Sequence, residues 1–105
     1  MNCPDRFTVT IDRGCIENGV CGSGRRCALA LKIAEVFPNA ADIIVGVQAA
    51  GIFESVKRSA FAGADYPMPK RAGEFVVEFD RLVTERDRED FIDRWRGVSF
   101  EFIRN

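Results

Sequence analysis

The sequence contains no histidine in 105 residues. Imidazole is the commonest general base and a frequent zinc ligand near neutral pH, so its absence excludes Ser-His-Asp and Cys-His catalysis and every His-containing zinc site. An excess of charge is lacking as well: 15 Lys and Arg stand against 16 Asp and Glu, a net of −1. That balance excludes a polycation held to nucleic acid by bulk attraction, and equally a uniformly acidic nucleic-acid mimic. Long apolar runs are missing too. The two longest, 28–37 and 43–53, are broken by Lys32, Glu35 and Gln48 and fall short of a membrane span. Residues Met1 to Arg6 show no basic start followed by an apolar stretch, so a cytoplasmic protein with reduced thiols is expected.

What is present is 47% hydrophobic residues, nine of them Phe, at a length usual for one domain, so 1–105 is read as a single globular unit. Phe7, Val9 and Ile11 alternate with Thr8 and Thr10, the period of a half-buried strand that Asp12-Arg13-Gly14 ends. The stretch GVCGSG (19–24) is a loop, and 25–37 is rich in helix formers, with Ser23 as N-cap and Pro38 as stop. Ile43, Ile44 and Val45 and then Ala50 to Phe53 read as two short strands of a hairpin. Residues 54–69 hold no clean period and several breakers, which predicts a long connection. Ala72, Phe75, Val76, Phe79, Leu82 and Val83 recur at helical spacing after Pro69. Thr84 followed by Asp87 has the form of a capping box opening a third helix over 84–96, which Gly97 closes. Val98, Phe100 and Phe102 form a last alternating strand. The expectation is an α+β fold of order βαββααβ, a small, mainly antiparallel sheet with helices packed on one face.

Three groups of residues invite a chemical reading. Gly19 and Gly24 have the spacing of a phosphate-binding loop, but Arg25 and Arg26 replace its Lys and Ser/Thr, which argues against nucleotide hydrolysis; a glycine turn before a helix is the plainer reading, and anion binding by Arg25, Arg26 and the Ser23 region the alternative. Cys3, Cys15, Cys21 and Cys27 offer four thiols for a zinc or redox protein. No C-x-x-C knuckle pre-orders two of them, and Cys27 lies on an apolar helix, so unpaired thiols without metal are expected. Cys21 beside two arginines has the setting of a lowered thiol pKa, yet Cys27 occupies the place where a phosphatase loop needs arginine. The pairs Arg25–Arg26, Lys57–Arg58 and Lys70–Arg71 form a phosphate-binding face if the fold gathers them.

Charge is polarised along the chain. From Glu74 to Asp93 three Lys or Arg face eight Asp or Glu, a local balance of −5. Much of this is a solvated helix laced with ion pairs, but Glu85, Asp87, Glu89 and Asp90 make a patch suited to a basic surface, including one that normally holds nucleic acid. Phe61 and Tyr66 lie in the long connection without an evident buried face, where aromatic side chains serve as interface anchors or as a lid on the core.

The stretch TVTIDRGCIENGVCGSGRRCALALKIAEVFP, followed by a short β segment, the step Tyr66-Pro67-Met68-Pro69, an amphipathic helix ending Phe79-Asp80 and the strand VSFEF, resembles small uncharacterised phage and prophage proteins. The matching positions are Ile11, Gly14, Gly19, Ser23 and Cys27 to Leu31, and the departures are the longer segment 55–64 and the added helix 84–96. The resemblance implies a phage accessory protein and brings no catalytic residue. Such proteins include inhibitors of bacterial defence of the anti-CRISPR kind. The expectation is therefore a non-enzymatic inhibitor with no cofactor and no membrane contact. Its partner is a bacterial protein or nucleoprotein complex met through Phe61, Tyr66 and the acidic helix. A small nucleic-acid-binding regulator using the three basic pairs is the alternative, and a cysteine-based zinc or redox protein a further one.

Overall fold

The computed structural model describes residues 4–53 and 63–104. The elements run β1 (Arg6–Thr10), α1 (Arg13–Asn18), α2 (Ala28–Val36), β2 (Asp42–Val45), β3 (Ala49–Phe53), β4 (Gly63–Pro67), α3 (Lys70–Phe79), α4 (Glu85–Trp95) and β5 (Ser99–Ile103). The fold class is α+β, with every strand pair antiparallel. The order is βααβββααβ rather than βαββααβ, and the strands form two sheets, β1-β5 and β2-β3-β4, rather than one.

Two elements account for the difference. Asp12 does not merely end a strand: its Oδ1 accepts the Cys15 amide at 2.8 Å, an N-cap that starts the six-residue α1 and lets Cys15 and Ile16 be buried. Within the expected connection, 63–67 pairs with β3 in the register Ala50↔Tyr66. Pro67 is tolerated because it sits at the last position of an outer strand, where its missing N–H interrupts nothing further along. The second helix is also shorter than expected. It opens at Ala28 with Cys27 as N-cap, while the Ser23 hydroxyl accepts the Arg26 amide at 3.1 Å in the turn before it.

Alternation in β1 and β5 places Phe7 opposite Phe102 and Val9 opposite Phe100, all four buried. The Phe7 and Phe102 rings stack at 4.8 Å, and Phe37 and Tyr66 meet Phe7 edge-on. Phe100, on the same face of β5 as Phe102, reaches a second aromatic cluster in which Phe75 contacts Phe79, Phe91 and Trp95. β5 thus joins the two clusters, and with them the two ends of the core. Among the described residues no helix is long and apolar enough to cross a membrane.

Candidate docking surface

The surface is built on α4. The Thr84 hydroxyl accepts the Asp87 amide at 3.0 Å while Asp87 Oδ2 accepts the Thr84 amide at 3.3 Å, the reciprocal box that the sequence predicts. Phe91, Ile92 and Trp95 are buried, while Glu85, Asp87, Glu89, Asp90 and Asp93 are all exposed, Glu85 and Glu89 on the flank that faces α1 and Asp90 and Asp93 on the side away from the core. Arg88 shares the inward stripe and is half-buried. Its guanidinium donates to the Ile16 carbonyl, lies 5.7 Å from the centre of the Phe79 ring and approaches Cys21 Sγ at 3.9 Å.

These contacts dock α4 on α1. Arg13 bridges the two helices, 3.0 Å from Glu89 and 3.4 Å from Glu17. Glu17, Glu85, Arg88, Glu89 and Ile92 line a polar cleft of about 310 Å³ between them. Of the four acidic residues singled out in the sequence, Asp87 is engaged in the cap and Glu89 in the Arg13 pair. Glu85, at the edge of this cleft, and Asp90, on another side of the helix, are exposed and have no ion pair among the described residues. Glu17 and Arg13 were missed because they lie more than 60 residues earlier in the chain. The half-buried position of Arg88 had a signal in its spacing to Phe91, Ile92 and Trp95 on one helical stripe.

Tyr66 is not an exposed anchor. It is 0% exposed, its ring lies 4.8 Å from that of Phe7, and its hydroxyl donates to the Pro4 carbonyl at 2.6 Å. The β4 pairing turns it into the core, a register that the breakers around it concealed. Phe61, Lys57 and Arg58 lie outside the described residues.

The remaining basic pairs are not drawn together. Arg25 Nε is held by Asp42 Oδ2 at 3.0 Å, whereas the Arg71 guanidinium sits over the Trp95 ring, 4.8 Å from its centre. Arg26 and Lys70 are exposed. The glycine loop has a structural explanation rather than an anion-binding one. Val45, on the outer edge of β2, donates to the Gly24 carbonyl at 2.7 Å, so the loop covers that edge. A Cβ on Gly24 would meet the Val45 oxygen at 2.9 Å, and one on Gly19 the Ala28 nitrogen at 2.6 Å. Gly22 takes a positive φ of 78°, and its amide donates to Asp80 Oδ1 at 2.8 Å. A carboxylate already fills the role that a phosphate would take.

The described thiols are separately engaged. Cys15 donates to the Asp12 carbonyl at 3.2 Å and Cys21 to the Phe79 carbonyl at 3.1 Å, while Cys27 Sγ faces the Ala30 amide. Burial pushes Cys15 up to about 11 and raises Cys27 as well, which keeps both in the inert thiol form. No three His, Cys, Asp or Glu among the described residues are placed to hold a metal ion, and Cys3 lies outside that set. No protein-family model matches this chain, and neither a curated protein nor a solved structure matches it.

Proposed function

We propose that this chain is a non-enzymatic binding protein of the phage accessory type, an inhibitor of bacterial defence that covers a basic surface of its target with the exposed carboxylates of α4. The observation that carries the reading is the division of labour on that helix. Its inner stripe and the Arg13 and Arg88 contacts hold it rigidly on α1, while Glu85 and Asp90 stay exposed and unpaired among the described residues. Carboxylates fixed on a rigid element pay little entropy on docking, and they compete naturally with the phosphates that a basic channel holds.

The test is a double charge reversal, Glu85→Lys with Asp90→Lys. Among the described residues neither side chain contributes to a cap bond or an ion pair, so the fold is expected to survive. The target retained from a bacterial host by the wild-type chain is expected to bind the variant at least about tenfold more weakly, with a reduced association rate and a weaker salt dependence. Unchanged affinity removes α4 from the account. The regulator reading has less support, because Arg25 and Arg71 are engaged within the chain. It predicts a gel shift with mixed DNA and RNA that fades steeply with salt.

A further inference from the structure

The outer strand edges of the two sheets are not treated alike. In β2 the outward amides are those of Ile43 and Val45, and both are occupied within the chain: Ile43 donates to Asp42 Oδ1 at 2.9 Å and Val45 to the Gly24 carbonyl at 2.7 Å. In β4 the outward positions include Pro67, which has no N–H to offer. β1 has neither device. The Arg104 amide donates to the Asp5 carbonyl at 2.7 Å and the Ile11 amide to the Val98 carbonyl at 2.9 Å, so the residues of β1 bonded to β5 are Phe7 and Val9, in step with Asp5 and Ile11. The N–H and C=O groups of Arg6, Thr8 and Thr10 therefore point away from β5, and among the described residues none has a backbone partner.

Unpaired backbone groups along a strand edge accept an extended backbone, and the side chains decide which one. Arg6, Thr8 and Thr10 are exposed, and alternation puts all three side chains on the face of β1 away from Phe7 and Val9. Antiparallel pairing of β1 with the same strand of a second copy, about a two-fold axis at Thr8, sets Thr8 against Thr8 and Arg6 against Thr10. Every outward N–H and C=O of the strand is then paired, the buried faces of both strands stay on one side, and no like charges meet. On β5 the same alternation leaves Ser99, Glu101 and Ile103 outward, and there the equivalent pairing sets Glu101 against Glu101. Of the two edges of this ribbon, β1 suits a second copy and β5 repels one.

We propose that this chain pairs with a second copy of itself edge to edge through β1, joining the two β1–β5 ribbons into one antiparallel sheet. The strand is five residues long, so the pairing is weak and concentration-dependent. Sedimentation equilibrium and amide hydrogen exchange followed by NMR test it. The weight-average mass is expected to rise from 11.7 kDa toward twice that value as the protein is concentrated to about 1 mM. Over the same range the amides of Arg6, Thr8 and Thr10 gain protection, while those of Phe7 and Val9, bonded to β5 throughout, do not change. Thr8→Pro removes an outward N–H and leaves the β1–β5 ladder whole. Thr8→Lys opposes like charges across the axis and faces Glu101 of its own chain. Each, checked for native circular dichroism, weakens pairing by about tenfold or more, and Thr8→Lys decides where the proline variant does not fold. A wild-type chain that stays monomeric throughout overturns the proposal. So does a dimer in which those three amides gain no protection, or one that Thr8→Lys leaves at full strength. Neither result bears on the α4 reading, whose variants leave this strand intact.

Discussion

Cys15 and Cys27 are 5% and 3% exposed, whereas Cys21 is half-buried at the rim of the glycine loop. Reaction of a thiol needs both access and the thiolate, and burial withholds both from the first two. In a Cys3→Ser background, iodoacetamide near neutral pH is expected to modify Cys21 first. Cys15 and Cys27 react only at the rate at which the core opens, read by mass spectrometry of the labelled chain. Comparable rates at all three positions contradict the burial described here. The same cause has a pH consequence. The folded Cys15 thiol holds its proton up to about 11, against an ordinary value of 9.0, so between those two values the unfolded chain carries fewer protons than the folded one. The thiol's contribution to stability is complete below about pH 9 and declines above it. Cys15→Ala is expected to flatten that decline in urea titrations.

At the scale of elements, α1 exists by virtue of one carboxylate. Six residues are too few for a helix to stand on propensity, so the cap and the burial of Cys15 and Ile16 decide. The Cys15 amide, and then the Lys32 ammonium at 2.9 Å, hold the Asp12 carboxyl below its ordinary value of 3.8. A carboxyl lowered in the folded state contributes its stability above the unfolded value and loses it as pH falls through the folded one. Asp12→Ala is therefore expected to cost about 1 kcal/mol at neutral pH and progressively less below pH about 4, measured by chemical denaturation across that range. A cost that does not shrink in acid assigns the loss to something other than the charged cap. Dependence on one cap also explains why α1 was illegible in the sequence: it has no period to find. β4 was hidden by Gly63 and Pro67, which mark breaks in most contexts and here only bound a strand. By contrast β1, β5 and α4 were legible because each buries one face and so writes its period into the chain, and the β2–β3 hairpin was legible from its β-branched residues although β3 buries three residues in succession. α3 was legible as well, but it ends at Phe79, so Leu82 and the exposed Val83, which the helical spacing included, lie beyond it. The same division holds for the docking surface. The Thr84-Asp87 box and the outward carboxylates could be read locally, while the Arg13–Glu89 pair that fixes α4 on α1 depends on a contact between distant segments.

At the scale of the molecule, the two small sheets and four helices of the described residues need a shared core, since a two-stranded ribbon alone is marginal in water. The aromatic side chains supply it. Phe102 stacks on Phe7 in one cluster and Phe100 lies 5.7 Å from Phe75 in the other, so β5 carries coupling from the β1 side to α3 and α4. Phe75 is the node of the second cluster, with Phe91 at 5.0 Å and Trp95 at 5.3 Å. Phe75→Ala is expected to cost about 3–5 kcal/mol through lost burial and the cavity left behind, a large part of the stability of a domain this size. Because the clusters share β5, the loss is felt on both sides of the core. The fluorescence of Trp95, the only tryptophan, and the near-ultraviolet signal of Tyr66, in the other cluster, are expected to move together to a lower midpoint in denaturant. If the Tyr66 transition keeps its wild-type midpoint while that of Trp95 falls, the clusters are separate cooperative units, and β5 is not the element that makes them one.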